Sequence, residues 1–251
     1  LNPGGSVKDR PARQIILDAL KSKKIDKGAT IVEGTAGNTG IGLSLVGNSL
    51  GMKSVIVMPK TQSNEKKKML KLCGAKLHLV EAVPYKNPGN YIRYSETLSK
   101  KIKNPYGVLW ANQFDNLSNK KSHYLTTGPE IWSQLNGKID AFICSIGTGG
   151  TLAGMSEYLK EKNKKIIIGL ADPFGSAMFN FFKNGKLKSE GSSITEGIGQ
   201  GRITKNLENI LIDDFFQISD EDALNLVFKM IKNEGLILGG SSGINIMGAI
   251  R

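Results

Sequence analysis

Histidine and cysteine are scarce in this chain, with two of each among 251 residues. His78 and His123 have no ligand-type partner at metal spacing, so neither reads as part of a metal centre. Cys73 and Cys144 lie far apart in apolar surroundings. They read as reduced core residues of a cytoplasmic protein rather than as a disulfide framework. Long apolar runs are also missing: none approaches the roughly 20 residues a membrane span needs, so no membrane association is expected. The opening Leu1-Asn2-Pro3-Gly4-Gly5 lacks the charged start and apolar stretch of a cleavable signal. With no initial Met, and Arg251 falling inside a helical pattern, the chain is expected to be incomplete at both ends.

Acidic residues are in deficit, 22 against 34 Lys and Arg, for a formal net charge of +12. Much of the excess falls between Lys60 and Lys103, where eleven basic residues face three Glu. Ten of the eleven are Lys, without the interleaved aromatics or Arg clusters of a nucleic-acid surface. The stretch reads as a solvated lysine-rich face, with steering of anionic substrates as the alternative and no nucleic-acid partner.

At 39% hydrophobic composition the chain can bury one large core or two modest ones. Periodicity predicts helices over 10–21, 41–50, 63–73, 91–102, 123–134, 152–160 and 220–233. Strands are expected at 30–33, 53–59, 76–80, 107–111, 141–145, 165–171 and 236–238. Pro84 to Gly89 reads as a loop. Short apolar strands alternating with helices imply an α/β fold: mostly parallel sheets covered on both faces, arranged in two series and hence two lobes.

Glycine, at 30 residues, is what the chain has in quantity. Ser145-Ile146-Gly147-Thr148-Gly149-Gly150-Thr151 follows a predicted strand and opens a helix. Successive N–H groups and the positive end of a helix dipole would suit an anion there. The spacing is not that of a dinucleotide fingerprint, and no Gly-Lys-Ser/Thr follows. Taken alone, the loop fits either a phosphate or a tight strand-to-helix turn. Lys8 alone could be a surface lysine at a helix start, Asn38 a turn residue, Ser241 a helix cap and Gln113 a loop polar group.

Several segments in one order resemble the cysteine synthase and cystathionine β-synthase family, pyridoxal-phosphate (PLP) enzymes of the tryptophan synthase β fold, fold type II. Asn2-Pro3-Gly4-Gly5-Ser6-Val7-Lys8-Asp9-Arg10 resembles the cofactor-lysine motif, and Glu33-Gly34-Thr35-Ala36-Gly37-Asn38-Thr39-Gly40 the substrate loop. Gly147–Thr151 is similar to the phosphate loop, and Gly239-Gly240-Ser241-Ser242-Gly243 to the segment facing the pyridine nitrogen. Trp110 to Asn116 resembles the Gln-bearing substrate segment, and Ser192 to Gly201 the Glu-Gly-Ile-Gly loop that borders the cofactor.

The resemblance implies two three-layer lobes with mostly parallel sheets. Residues 12–113 would form the smaller mobile lobe, and 1–11 with 114–251 the larger, cofactor-binding one. It implies that Lys8 carries pyridoxal 5'-phosphate in Schiff-base linkage and acts as the base. Asn38 would meet the ring 3'-oxygen, Gly147, Thr148, Gly149, Gly150 and Thr151 would hold the phosphate, and Ser241 would face the ring nitrogen. Thr35, Ala36, Gly37, Thr39, Gln113 and Gly197 would contact the amino-acid substrate. A hydroxyl at the ring nitrogen favours prompt loss of a β-substituent over transamination or racemisation.

The implied activity is β-replacement of O-acetylserine, or a similar activated serine, by sulfide to give cysteine. Cystathionine formation and cysteine desulfhydrase-type elimination are alternatives on the same machinery, and a silent peptide-binding relative is an alternative without it. The family implies a homodimer and docking of a serine acetyltransferase C-terminal peptide. Ala36 departs from the family's usual Pro-Thr-Ser-Gly-Asn, which removes a hydroxyl near the substrate.

Overall fold

The computed structural model describes residues 2–35 and 37–251. The chain folds as two compact units, a first ending at Ser122 and a second spanning His123–Arg251.

In the first unit α1 (Asp9–Lys21) precedes β1 (Thr30–Gly34), α2 (Asn38–Ser49), β2 (Lys53–Pro59), α3 (Asn64–Leu72) and β3 (Lys76–Val80). Then come α4 (Tyr91–Lys101), β4 (Val108–Trp110) and α5 (Ser118–Ser122). The four strands pair in the order β3-β2-β1-β4, all parallel. All five residues of β1 are buried, as a central strand between two helical layers requires. Alternation sorts them: Ile31 packs with Ile15, Ile16 and Leu43 of α1 and α2, whereas Gly34 turns to the opposite face, against the start of α4. Glycine is obligatory there, because a Cβ would lie 2.5 Å from the Tyr91 carbonyl oxygen and 2.6 Å from the Ile92 Cα.

The second unit opens on a π-helical turn, His123–Thr127, running into α6 (Gly128–Gln134). β5 (Ala141–Cys144), α7 (Gly150–Lys162), β6 (Ile167–Pro173) and α8 (Ala177–Asn184) follow. The last elements are β7 (Asp214–Ile218), α9 (Asp220–Glu234) and α10 (Gly240–Ile250). The sheet runs β5-β6-β7, again parallel. One face buries Ile168 and Leu170 against Leu152, Met155 and Leu159 of α7. The other sets Ala171 and Ile218 against Ala223 of α9 and Ile244 of α10. Each such fully buried aliphatic side chain stabilises the fold by about 1.5–3 kcal/mol.

Three expectations are corrected. Leu236–Leu238 is not a strand: it is the link between α9 and α10, with Ile237 87% exposed. The third strand of that sheet is Asp214–Ile218 instead, whose Asp-Phe-Phe-Gln-Ile shows little apolar alternation. The helix expected from His123 begins at Ser118, and its central turn is π-helical. Among the described residues no helix is long and apolar enough to cross a membrane.

Gly248 lets α10 lie flat on the sheet, since a Cβ there would come 2.5 Å from the Ala171 Cβ. Gly248→Ala is therefore expected to cost about 1–3 kcal/mol by overpacking, read as a lower urea midpoint at unchanged slope. An unchanged midpoint would mean that the interface has room for a methyl group.

Candidate functional site

In the first unit the candidate residues gather at two helix starts. Lys8 is half-buried at the N-cap of α1, where its N–H donates to Ser6 Oγ at 3.2 Å. The approach is tight. The Gly4 N–H donates to Asp9 Oδ2 at 2.5 Å, and a Cβ on Gly42 would meet Asp9 Oδ1 at 3.0 Å. Glycine at 42 thus lets α2 pack directly on the start of α1, the turn that carries Lys8.

The loop after β1 leaves the sheet at Thr35, whose N–H donates to the Val57 carbonyl at 3.0 Å. The Gly37 N–H donates to Thr35 Oγ1 at 3.3 Å. Asn38 is the exposed first residue of α2, with Gly37 at its N-cap. Buried Thr39 donates its hydroxyl to Gln113 Oε1 at 2.6 Å. Gln113 is anchored in turn: its N–H donates to Glu33 Oε1 at 3.4 Å, and its carbonyl accepts from Asn119 Nδ2 at 2.8 Å. The unit thus ties Gly37 to Thr35 and Thr39 to Gln113, two hydrogen-bonded pairs at the end of β1 and the start of α2. Ala36 lies outside the described residues.

In the second unit the glycine loop closes strand β5 onto α7. A Cβ at Gly147 would stand 2.3 Å from the Gly197 carbonyl oxygen, and one at Gly149 (φ +85°) 2.5 Å from Leu207. The loop is held from outside at almost every residue. The Ser145 N–H donates to Asn245 Oδ1 at 2.8 Å, and the Ile146 N–H to Asp172 Oδ1 at 3.1 Å. The Ile146 carbonyl accepts from the Gly199 N–H at 3.0 Å, the Gly147 carbonyl from Gln200 Nε2, and the Thr148 carbonyl from Thr204 Oγ1 at 2.8 Å. His123, buried in the π-helical turn, bonds Thr127 Oγ1 through Nδ1 at 2.9 Å and Thr151 Oγ1 through Nε2 at 3.2 Å.

Gly149 caps α7 without a side-chain bond, and among the described residues the N–H groups of Gly149, Gly150 and Thr151 find no protein acceptor. Such orphan donors at a dipole's positive end fit a phosphate. Half-buried Ser241 stands in the first turn of α10, which Gly239 also leaves uncapped, and Asn245, one turn on, ties that helix to the loop. Gly240 sits against Thr195 of the 192–201 segment: a Cβ added there would lie 3.1 Å from the Thr195 Oγ1.

Reading motifs missed the supports. His123, weighed only as a metal ligand, holds Thr151. Asp172, Thr204 and Asn245 lie outside every recognised segment, and only the helical spacing of Asn245 from Ser241 could have signalled one of them, whereas Gln200 falls in the 192–201 segment without having been given a role. Asp172 is fully buried. Burial pushes its carboxyl up to about 7, although bonds from Ser176 and the Ile146 N–H oppose the shift.

Residues 1–251 match the family described as "Pyridoxal-phosphate dependent enzyme". The chain belongs to this family. It is 48% identical over 254 residues to cysteine synthase 1 of Neurospora crassa, covering 99% of this chain and 67% of that protein. Cysteine synthase 1 of Emericella nidulans is likewise 48% identical over 253 residues, covering 99% of this chain and 68% of the relative. Among solved structures, the O-acetylserine dependent cystathionine beta-synthase from Helicobacter pylori superposes with a TM-score of 0.86 at 37% identity. That match covers 99% of this chain and 78% of the other. The fold is the fold type II architecture of PLP enzymes, and the uncapped glycine loop, the lysine and the Ser241 hydroxyl fit that cofactor.

Two outcomes follow from the second unit. Gly147→Ala should weaken cofactor binding by about tenfold or more, since the new methyl group meets backbone that cannot swing aside; fluorescence titration with PLP reads this, and unchanged affinity would contradict it. Asp172, with its folded pKa raised above the ordinary 3.8, contributes stability that is full below about 4 and lost as pH rises through about 7. The melting temperature of Asp172→Asn, relative to the parent, should therefore climb between pH 4 and 8, whereas a flat difference would place the carboxyl's titration elsewhere.

Proposed function

We propose that the protein is a cysteine synthase, replacing the acetate of O-acetyl-L-serine with sulfide to form L-cysteine. The observation that carries this reading is the 48% identity to the fungal cysteine synthases across nearly the whole chain. The Thr39–Gln113 bond beside Thr35 and Gly37 supports it, because these groups suit an amino-acid carboxylate without an Arg.

In this reading Lys8 holds the cofactor. Asn38 would bond its ring 3'-oxygen, Gly147 to Thr151 would hold its phosphate, and Ser241 would face its ring nitrogen. When bound, pyridoxal phosphate supplies an electron sink for the pair released at the substrate's Cα. Lys8 Nζ takes the proton from Cα as acetate leaves from Cβ, and returns it to Cα after sulfide has added at Cβ. Thr35, Gly37, Thr39 and Gln113 hold the α-carboxylate so that the Cα–H bond faces Lys8, with Ala36 and Gly197 lining the substrate's surroundings. Placing the proton acceptor in this way is where an enzyme gains most from orientation.

The finer parts of the reading are a cytoplasmic homodimer, residues 12–113 as the lobe that moves, and capture of a serine acetyltransferase C-terminal carboxylate by the loop that holds the substrate's own.

The test is the visible absorbance of the cofactor-loaded protein. O-acetylserine should shift the band and sulfide should restore it, with cysteine formed in step. Lys8→Ala should lower turnover by roughly 10²–10⁴-fold, the usual worth of a positioned acid–base group. A band that ignores O-acetylserine would move the assignment to another β-substituted donor, and cystathionine formed from homocysteine in place of cysteine would move the second substrate.

A further inference from the structure

The contact between β1 and α4 involves a segment that none of the recognised motifs includes. β1 ends at Gly34, one residue before Thr35, and Gly34 rests on the backbone of Tyr91 and Ile92: an added Cβ would lie 2.5 Å from the Tyr91 carbonyl oxygen, 2.6 Å from the Ile92 Cα and 3.0 Å from the Ile92 nitrogen. The first turn of α4 is therefore a floor beneath the substrate loop, with no side chain between them to absorb a shift. What fixes that turn is Asn90. Its side-chain Oδ1 accepts from the Ile92 N–H at 3.1 Å, and its Nδ2 donates to the Val83 carbonyl at 2.7 Å. Its own N–H donates to the Asn87 carbonyl at 3.0 Å, and its carbonyl accepts from the Tyr94 N–H at 2.8 Å. The residue is 5% exposed.

Asn90 thus does two things at once. It caps α4, as Ser or Asp also can, and it clamps the start of α4 to the far side of the turn 83–90. That turn is held again by the Arg93 Nη1 bond to the Lys86 carbonyl at 2.7 Å. The far side of α4 is tied to the sheet through Ser95 Oγ, which accepts from Trp110 Nε1 at 3.0 Å. With the helix held at the sheet, the height of its first turn under Gly34 is set by the part-buried Asn90–Val83 bond together with the exposed Arg93–Lys86 bond, and the part-buried one is the stiffer of the two. Serine at this position would keep the cap and lose only the clamp.

We propose that Asn90 is a positioning residue for the amino-acid substrate, setting through Tyr91, Ile92 and Gly34 the height of the loop that carries Thr35, Gly37 and Thr39. The inference rests on the reading of that loop as the holder of the substrate carboxylate.

The experiment compares Asn90→Ser and Asn90→Asp with Ser63→Ala, which removes the cap of α3 in the same unit, and with Thr39→Ala, all as cofactor-loaded protein. The clamp predicts that both Asn90 variants raise the KM for O-acetylserine by about fivefold or more. The KM for sulfide and the resting visible spectrum should stay unchanged, since only binding of the first substrate is weakened. The dissociation constant from titrating the band with O-acetylserine alone should rise by the same factor. Ser63→Ala should lower the melting temperature without moving either constant, which separates positioning from simple loss of a cap. If Thr39→Ala raises the KM while the Asn90 variants stay within twofold of the parent, the clamp is wrong and the loop reading stands. If Thr39→Ala also leaves the KM unmoved, the loop reading has failed and takes the clamp with it.

Discussion

The helices of this protein differ in how they begin, and the candidate site follows from that difference. Every α-helix exposes N–H donors that its own backbone cannot satisfy. In α3, α4, α8 and α9 a side chain meets that need: Ser63, Asn90, Ser176 and Ser219 each accept from the first turn. In α1, α2, α7 and α10 none does, and these helices start on Lys8, Gly37, Gly149 and Gly239; α6 has no side-chain cap either, but it runs on from the π-helical turn. The four uncapped starts carry the lysine, the substrate loop, the glycine loop and the serine assigned to cofactor and substrate. Donors aligned with the positive end of a helix dipole attract an anion, and both phosphate and amino-acid carboxylate are anions. In the proposed reading the uncapped starts of α2, α7 and α10 supply binding groups, whereas the first N–H groups of α1 donate to the Ser6 and Val7 carbonyls and that helix contributes Lys8 instead.

Holding those starts in place falls to the surrounding structure. Gly34 and Gly147 each stand where a methyl group would strike a backbone carbonyl, so loop and neighbour are locked by contact of main chain with main chain. Buried polar side chains complete the work: Glu33 and Asn119 around Gln113, and Asp172, Thr204 and His123 around the glycine loop. Asp172 illustrates the cost. Its carboxyl is removed from water to hold one N–H and one hydroxyl, and burial raises its pKa to about 7.

The Gly-rich segments and the alternation of strands and helices could be read from sequence because each has a local cause. Apolar runs such as Lys53–Pro59 form strands by their own composition, and the strand is found at that span. What could not be read depends on partners distant in the chain. Asp214–Ile218 becomes a strand by pairing with β6, although its residues alternate poorly. Leu236–Leu238 is apolar enough for a strand but, among the described residues, pairs with no strand. His123 gained its role from Thr151, and Asn90 from Gly34 and Val83, contacts that no spacing in the sequence announces. The departure at Ala36 was legible, but it lies outside the described residues.

The account turns on Lys8 as the residue that carries the cofactor, in a chain with many other lysines. Reducing the cofactor-loaded protein with borohydride fixes the cofactor to its lysine, and peptide mass mapping then locates it. The account predicts one modified peptide, spanning Lys8. Modification at another lysine, with Lys8 unaltered, would contradict it.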